Sequence, residues 1–244
     1  VEATLAVLLG SAVTIGVIHT AIGPDHYLPF IVLGRAEGWT LRKTLIITGL
    51  CGLGHVLGSV ALGALGVALG WAVAGMERLE GVRGDVASLV LIGFGALYFV
   101  WGLWRGRRGH VHTHIHQDGS VHRHAHHHEG PADDLDHGRT AHEEQRHVRS
   151  HRRTLWALFI IFVLGPCEPL IPLLLVPASQ HSAAGVAAVA AVFGAATVST
   201  MLLIVGLGSV GVGLVRLRAL EPYVHALAGF AILGSGAVIR LFGL

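Results

Sequence analysis

Apolar residues arrive along this chain in long blocks rather than at the period of an amphipathic helix or a half-buried strand. The blocks lie at about 3–22, 44–70, 85–104, 154–177, 183–214 and 223–243, separated by short polar patches. Each reaches the roughly 20 residues that a helix needs to cross a bilayer. A helix apolar on all sides must be covered on all sides, and with this many of them the covering medium is lipid. The pattern predicts an all-α polytopic membrane protein with six spans. The second and fifth blocks exceed what a span needs, which predicts tilt or extra turns outside the hydrocarbon. The first block opens "VEATLAVLLG", with neither a basic n-region nor a small-residue cleavage site, and reads as a span rather than a signal peptide.

Composition sharpens this picture. Of 244 residues, 52% are hydrophobic and 13% charged; a soluble domain carries about 25% charge. The 34 glycines fall mostly inside the apolar blocks, where small residues let helices approach closely in lipid. Lys and Arg divide unevenly. Fourteen follow the first, third and fifth spans, and only Arg78, Arg83 and Arg240 occupy the opposite side. Positive charge stays inside, so both termini are expected outside and the longest loop in the cytoplasm, in a bacterial or archaeal inner membrane. That loop, about 106–152, carries thirteen of the eighteen histidines and separates a first unit (1–105) from a second (153–244). A net charge of +2 without a basic-aromatic surface gives no nucleic-acid partner. Cys51 and Cys167 lie in apolar blocks, which is no disulfide framework. The sequence has no phosphate-binding loop, nucleophile elbow or zinc-protease helix, so no enzyme activity or prosthetic group is expected, and any transport is secondary or driven by a partner.

The two units share a motif. An offset of 142 residues lays "GPDH" (23–26) on "GPCE" (165–168), Gly52 on Gly194 and His55 on Thr197. Pro29 and Pro172 fall one residue out of step, and His19 falls opposite Ile161. Three spans per unit, an odd number, would invert the second unit relative to the first, which is the transporter pattern of inverted repeats with interrupted helices. Gly-Pro supplies the interruption, because proline lacks an N–H and clashes with the preceding turn.

Reactive side chains sit directly after both breaks. Asp25 and Glu168 are the carboxylates expected deep in apolar sequence, where an ionisable group costs several kcal/mol and usually marks an ion path. The bland alternative is a structural lock through a backbone amide or a basic neighbour. His26 adjoins Asp25, and His19 precedes it by six residues. A lone intramembrane histidine is more often a packing residue, but two flanking a carboxylate across a helix break favour metal ligation. Cys51 and His55, at i and i+4, share a helix face. Cys51 reads as a small core residue, whereas Cys167 beside Glu168 is balanced between core and ligand. Imidazole, carboxylate and thiolate together suit Ni, Co, Zn or Cu better than Mg or Ca.

The central loop has a pattern of its own. His110, His112, His114 and His116 alternate, "QDG" intervenes, and His122, His124, His126 and His128 alternate again. A three-residue connection with glycine in the left-handed place makes a hairpin that pairs His114 with His122, His112 with His124 and His110 with His126. The alternating histidines would share one face and bind divalent metals, with no selection among Ni, Co, Zn and Cu.

On "HTAIGPDH", "GLGH", "GPCEPLIP", the six spans and the His-rich loop, the chain resembles the nickel/cobalt transporter superfamily, including its NicO and UreH-like members. It is also similar to the wider group with CcdA/DsbD-type and TauE-type membrane domains. The resemblance implies that His19, Asp25, His26 and His55 contact the metal. Five residues separate His19 from the Asp-His pair here, where the nickel-transporter signature has four. In CcdA-type proteins a cysteine in each half exchanges thiols, whereas the position matching Cys167 here is Asp25.

The leading expectation is a transporter of Ni²⁺ or Co²⁺, with Zn²⁺ or Cu as further cargo and export favoured by a cytoplasmic His loop. A CcdA-like thiol relay, a non-transporting metal sensor or chaperone, and an anion exporter are the alternatives. Besides lipid and metal ions, a homo-oligomer or a metallochaperone is an expected partner.

Overall fold

The computed structural model describes residues 2–68, 73–108, 111–115, 121–125, 155–165, 167, 169–179, 182–214 and 218–242. In chain order the helices are α1 (Glu2–Ile22), α2 (Leu28–Ala36), α3 (Leu41–Ala68), α4 (Val73–Arg108), α5 (Leu155–Leu164), α6 (Leu170–Ser179), α7 (Ala183–Leu214) and α8 (Val224–Phe242). A 3-10 turn, Pro24–His26, joins α1 to α2, and another, Arg218–Tyr223, precedes α8. Between α4 and α5, strand β1 (Val111–Ile115) pairs antiparallel with β2 (Val121–Ala125), His112 opposite His124 and His114 opposite His122. His110, His116, His126 and His128 lie outside the described residues.

Five helices, α1, α3, α4, α7 and α8, are long and apolar enough to cross a membrane. Large apolar side chains such as Val7, Leu57, Leu97, Leu207 and Phe230 are exposed on their outer faces. Contiguous surface of that kind marks a membrane environment. The protein is therefore helical and membrane-spanning.

Two expectations about span boundaries change. The block at 154–177 does not form one helix: α5 and α6 have 10 residues each, about 15 Å of rise, and the chain bends at Gly165 between them. Helix α4 begins at Val73 rather than near 85, so the charged stretch "MERLEGVRGD" is helical. That corrects the view that only Asp25 and Glu168 are carboxylates set in the interior, because Glu80 is fully buried. Its partner Arg83 stands one turn away and neutralises it, whereas a sequence stretch with this many charges reads as surface.

Helix packing follows the glycines. Helices α4 and α8 run antiparallel, with Gly95 against Leu233, Gly102 against Ala226 and Gly106 against Tyr223. A methyl group on Gly95, Gly102 or Gly229 would strike backbone atoms of the facing helix, so close approach requires glycine there. Helix α7 lies against both α1, at Gly16, and α3, where Gly52 meets Val198 and Gly194 meets Val56. Tyr98 ties three elements together: its hydroxyl donates to Glu37 at 2.8 Å and contacts His225 Nδ1 at 2.8 Å.

Candidate metal centre

The site begins with the end of α1. Gly23 donates to the His19 carbonyl at 3.0 Å, closing the last turn, and Gly23 itself turns extended (φ −75°, ψ 104°). Pro24 then opens the 3-10 turn that presents Asp25 and His26, with His26 N–H bonded to Gly23 O at 3.2 Å. The glycine is needed for space. A Cβ there would lie 2.6 Å from His26 Nδ1 and 2.8 Å from Asp25 Oδ1.

His55 comes from the middle of α3, and the rings converge. His19 and His26 have centroids 4.8 Å apart, and His26 and His55 5.2 Å, both edge-on. One ring nitrogen from each of the three imidazoles lies within 4.8 Å of the others. A tetrahedral ion with bonds of roughly 2.0–2.1 Å holds its ligand nitrogens about 3.3 Å apart, so a small inward shift suffices.

Hydrogen bonds set which nitrogen is free. His26 Nδ1 stands 3.0 Å from Asp25 Oδ1 and 3.3 Å from Gly23 O, both acceptors. His55 Nδ1 stands 3.2 Å from Phe162 O, an acceptor on α5. Each Nδ1 therefore carries the hydrogen, which leaves the Nε2 lone pair as the ligand. The Nε2 atoms of His19, His26 and His55 are all buried without a protein hydrogen-bond partner. Leaving a buried acceptor unpaired costs about 1–3 kcal/mol. Three in one place form a donor set suited to a divalent transition metal, with Asp25 as the nearby negative charge.

These groups face a cavity of about 340 Å³, lined besides by Ile15, Ser88, Ile161 and Pro169. Asp25 and His26 line it too, and Asp25 is partly exposed. Helix α4 contributes Gly84, Ala87 and Ser88, so α1, α3, α4 and α5 all reach the site.

The second Gly-Pro motif supplies its backbone to this centre. Gly165 closes the end of α5 by donating to Ile161 O at 2.9 Å and Phe162 O at 3.1 Å. A Cβ on Gly165 would sit 3.3 Å from His55 Nδ1, so this glycine also admits an imidazole. Cys167 is buried among Ala12, Leu170 and Phe193, its thiol free and not part of the three-imidazole group. Glu168 lies outside the described residues. Cys51 packs in a separate cluster with Phe30 and Met201.

Three participants were not legible as such in the sequence: the Phe162 carbonyl, Glu80 and Arg83. The available signal was opposite charge at i and i+3 for the last two. Comparison with models of protein families, with curated proteins and with solved structures gives no match.

Proposed function

We propose that this chain is a secondary transporter of divalent transition-metal cations, Ni²⁺ or Co²⁺ foremost, that binds its cargo at His19, His26 and His55 beside Asp25. The observation that carries this reading is the convergence of three buried Nε2 atoms without protein partners on one cavity. Two of the three rings are oriented by acceptors at Nδ1, the arrangement typical of metal-bound histidine. Three imidazoles and one carboxylate offset much of the cost of desolvating a dication.

The architecture we propose is a 3+3 inverted repeat of six spans, with α1–α2 and α5–α6 as equivalent broken helices. In support, both breaks border the same cavity, Gly23 from the first and Gly165 from the second. The glycines at the equivalent places 52 and 194 meet valines at the equivalent places 198 and 56. Access would alternate as one half rocks against the other, and the His-rich loop would collect ions on the cytoplasmic side for export. A thiol relay draws no support, because Cys51 and Cys167 pack in different clusters.

Flux into proteoliposomes containing a metal-sensitive dye tests the proposal. The full chain is expected to pass Co²⁺ or Ni²⁺, deletion of residues 110–128 to retain flux, and Asp25→Asn or His26→Ala to abolish it. Metal bound at the loop with no flux by the full chain would overturn transport in favour of a sensor or chaperone.

A further inference from the structure

A helix broken by proline leaves carbonyls without their usual i+4 donors. At the end of α5 the donor to Phe162 O would come from residue 166, a proline without an N–H. The donor to Val163 O would be Cys167 N–H, which instead donates to Glu80 Oε2 at 3.3 Å. Side chains from two other helices take these carbonyls. His55 of α3 bonds Phe162 O, which accepts the Gly165 N–H as well, at 3.1 Å. Arg83 of α4 donates through Nη2 to Val163 O at 3.0 Å and to Gly165 O at 3.1 Å.

Arg83 is itself held. Its Nη1 pairs with Glu80 and lies 3.5 Å from Ser59 Oγ, one helical turn beyond His55 on α3. Glu80 is fully buried and receives both Arg83 and the Cys167 N–H. Gly58 leaves room for this fork: a Cβ there would lie 3.1 Å from Val163 O and 3.6 Å from Arg83 Nη2.

We propose that Glu80 and Arg83 form a clasp that fixes the broken end of α5 and so positions the carbonyl that orients His55 in the metal centre. Neither side chain touches the metal: they act through Phe162 O, one residue from Val163 O, and Arg83 fixes carbonyls on both sides of the α5 terminus. The clasp also joins α3, α4 and α5 where the two proposed halves meet, so His55 can turn only when the α5 end moves with it. This inference rests on the metal-binding reading above.

The test uses the full-length chain in nanodiscs with the thirteen loop histidines replaced by serine, so that Co²⁺ reports the intramembrane site alone. Removing one member of a buried ion pair endangers the fold, whereas removing both with similar shapes is often tolerated. The main variant is therefore Glu80→Gln with Arg83→Met, and Arg83→Lys, which keeps the charge but loses the fork, is the second. The double variant is expected to keep its helicity and its elution volume. Its Co²⁺ affinity is expected to fall by about 10- to 100-fold, the usual effect of losing an outer orienting contact, with a changed Co²⁺ absorption band. Arg83→Lys is expected to fall between it and the parent.

A metal-free readout accompanies these. The ¹⁵N spectrum of His55 is expected to show a single Nδ1–H tautomer in the parent and a mixture in the clasp variants. Unchanged affinity, band and tautomer in whichever variant folds would overturn the clasp. A parent band unaffected by His26→Ala would instead remove the metal centre, and the clasp's role in it, while the tautomer measurement would still tell whether Arg83 orients His55.

Discussion

At the scale of single residues, the expense of the site lies in space as much as in charge. Both Gly-Pro motifs place a glycine against an imidazole, Gly23 beside His26 and Gly165 beside His55. Proline explains the break, but glycine explains how close the ring can come. Gly23→Ala is expected to lower Co²⁺ affinity at the intramembrane site by roughly 10-fold or more, because the new methyl displaces the Asp25–His26 contact that orients the ring. Gly10→Ala, on α1 with nothing within 4 Å of the added carbon, is the control and should bind as the parent does. Equal affinities in the two titrations would show that the ring does not need this space. The histidines and Asp25 were legible in the sequence as unusual polar residues in apolar surroundings. Which ring nitrogen points into the cavity was not, since that depends on the Phe162 carbonyl 107 positions away from His55.

At the scale of elements, the short 3-10 turn matters more than any long helix. Pro24 withholds the N–H that would otherwise continue α1 through Thr20 O, and the chain turns Asp25 and His26 back towards His19. Pro24→Ala restores that donor and should let α1 extend. Pro24 stands at the first position of the 3-10 turn, where proline is tolerated, so the variant is expected to melt close to the parent while losing metal affinity. A thermal scan beside a Co²⁺ titration checks the uncoupling, and affinity retained in full would mean the turn is not what gathers the ligands. The block at 154–177 illustrates the reverse situation. Hydropathy reads it as continuous, because α5 and α6 are both apolar. The bend at Gly165 divides it into two short helices, and Gly165 then borders the cavity. Glu80 and Arg83 escaped a hydropathy reading for the opposite reason, since two charges that cancel inside a protein count as polar when scored singly.

At the scale of the whole molecule, orientation rests on charge alone. The excess of Lys and Arg after the first, third and fifth blocks predicts that the His-rich loop faces the cytoplasm. A cysteine introduced as Ala132→Cys, with the buried native thiols left in place, is expected to react with an impermeant maleimide in inside-out vesicles only. Labelling in right-side-out vesicles instead would reverse the topology and the argument for export. By itself the sequence determined the membrane character, the approximate extent of four of the five long helices, and which polar residues stand out in apolar surroundings, because these follow from local composition and spacing. Tertiary structure decided which of those residues meet. It gathered His19, His26 and His55 from two helices and a turn, left the Cys167 thiol in a core cluster, and buried an ion pair at the end of α5. The physical reason is that hydropathy records what each residue prefers as a neighbour, whereas the meeting of three imidazoles depends on which particular residues become neighbours, fixed here by glycine contacts and by backbone carbonyls far along the chain from the side chains they bond.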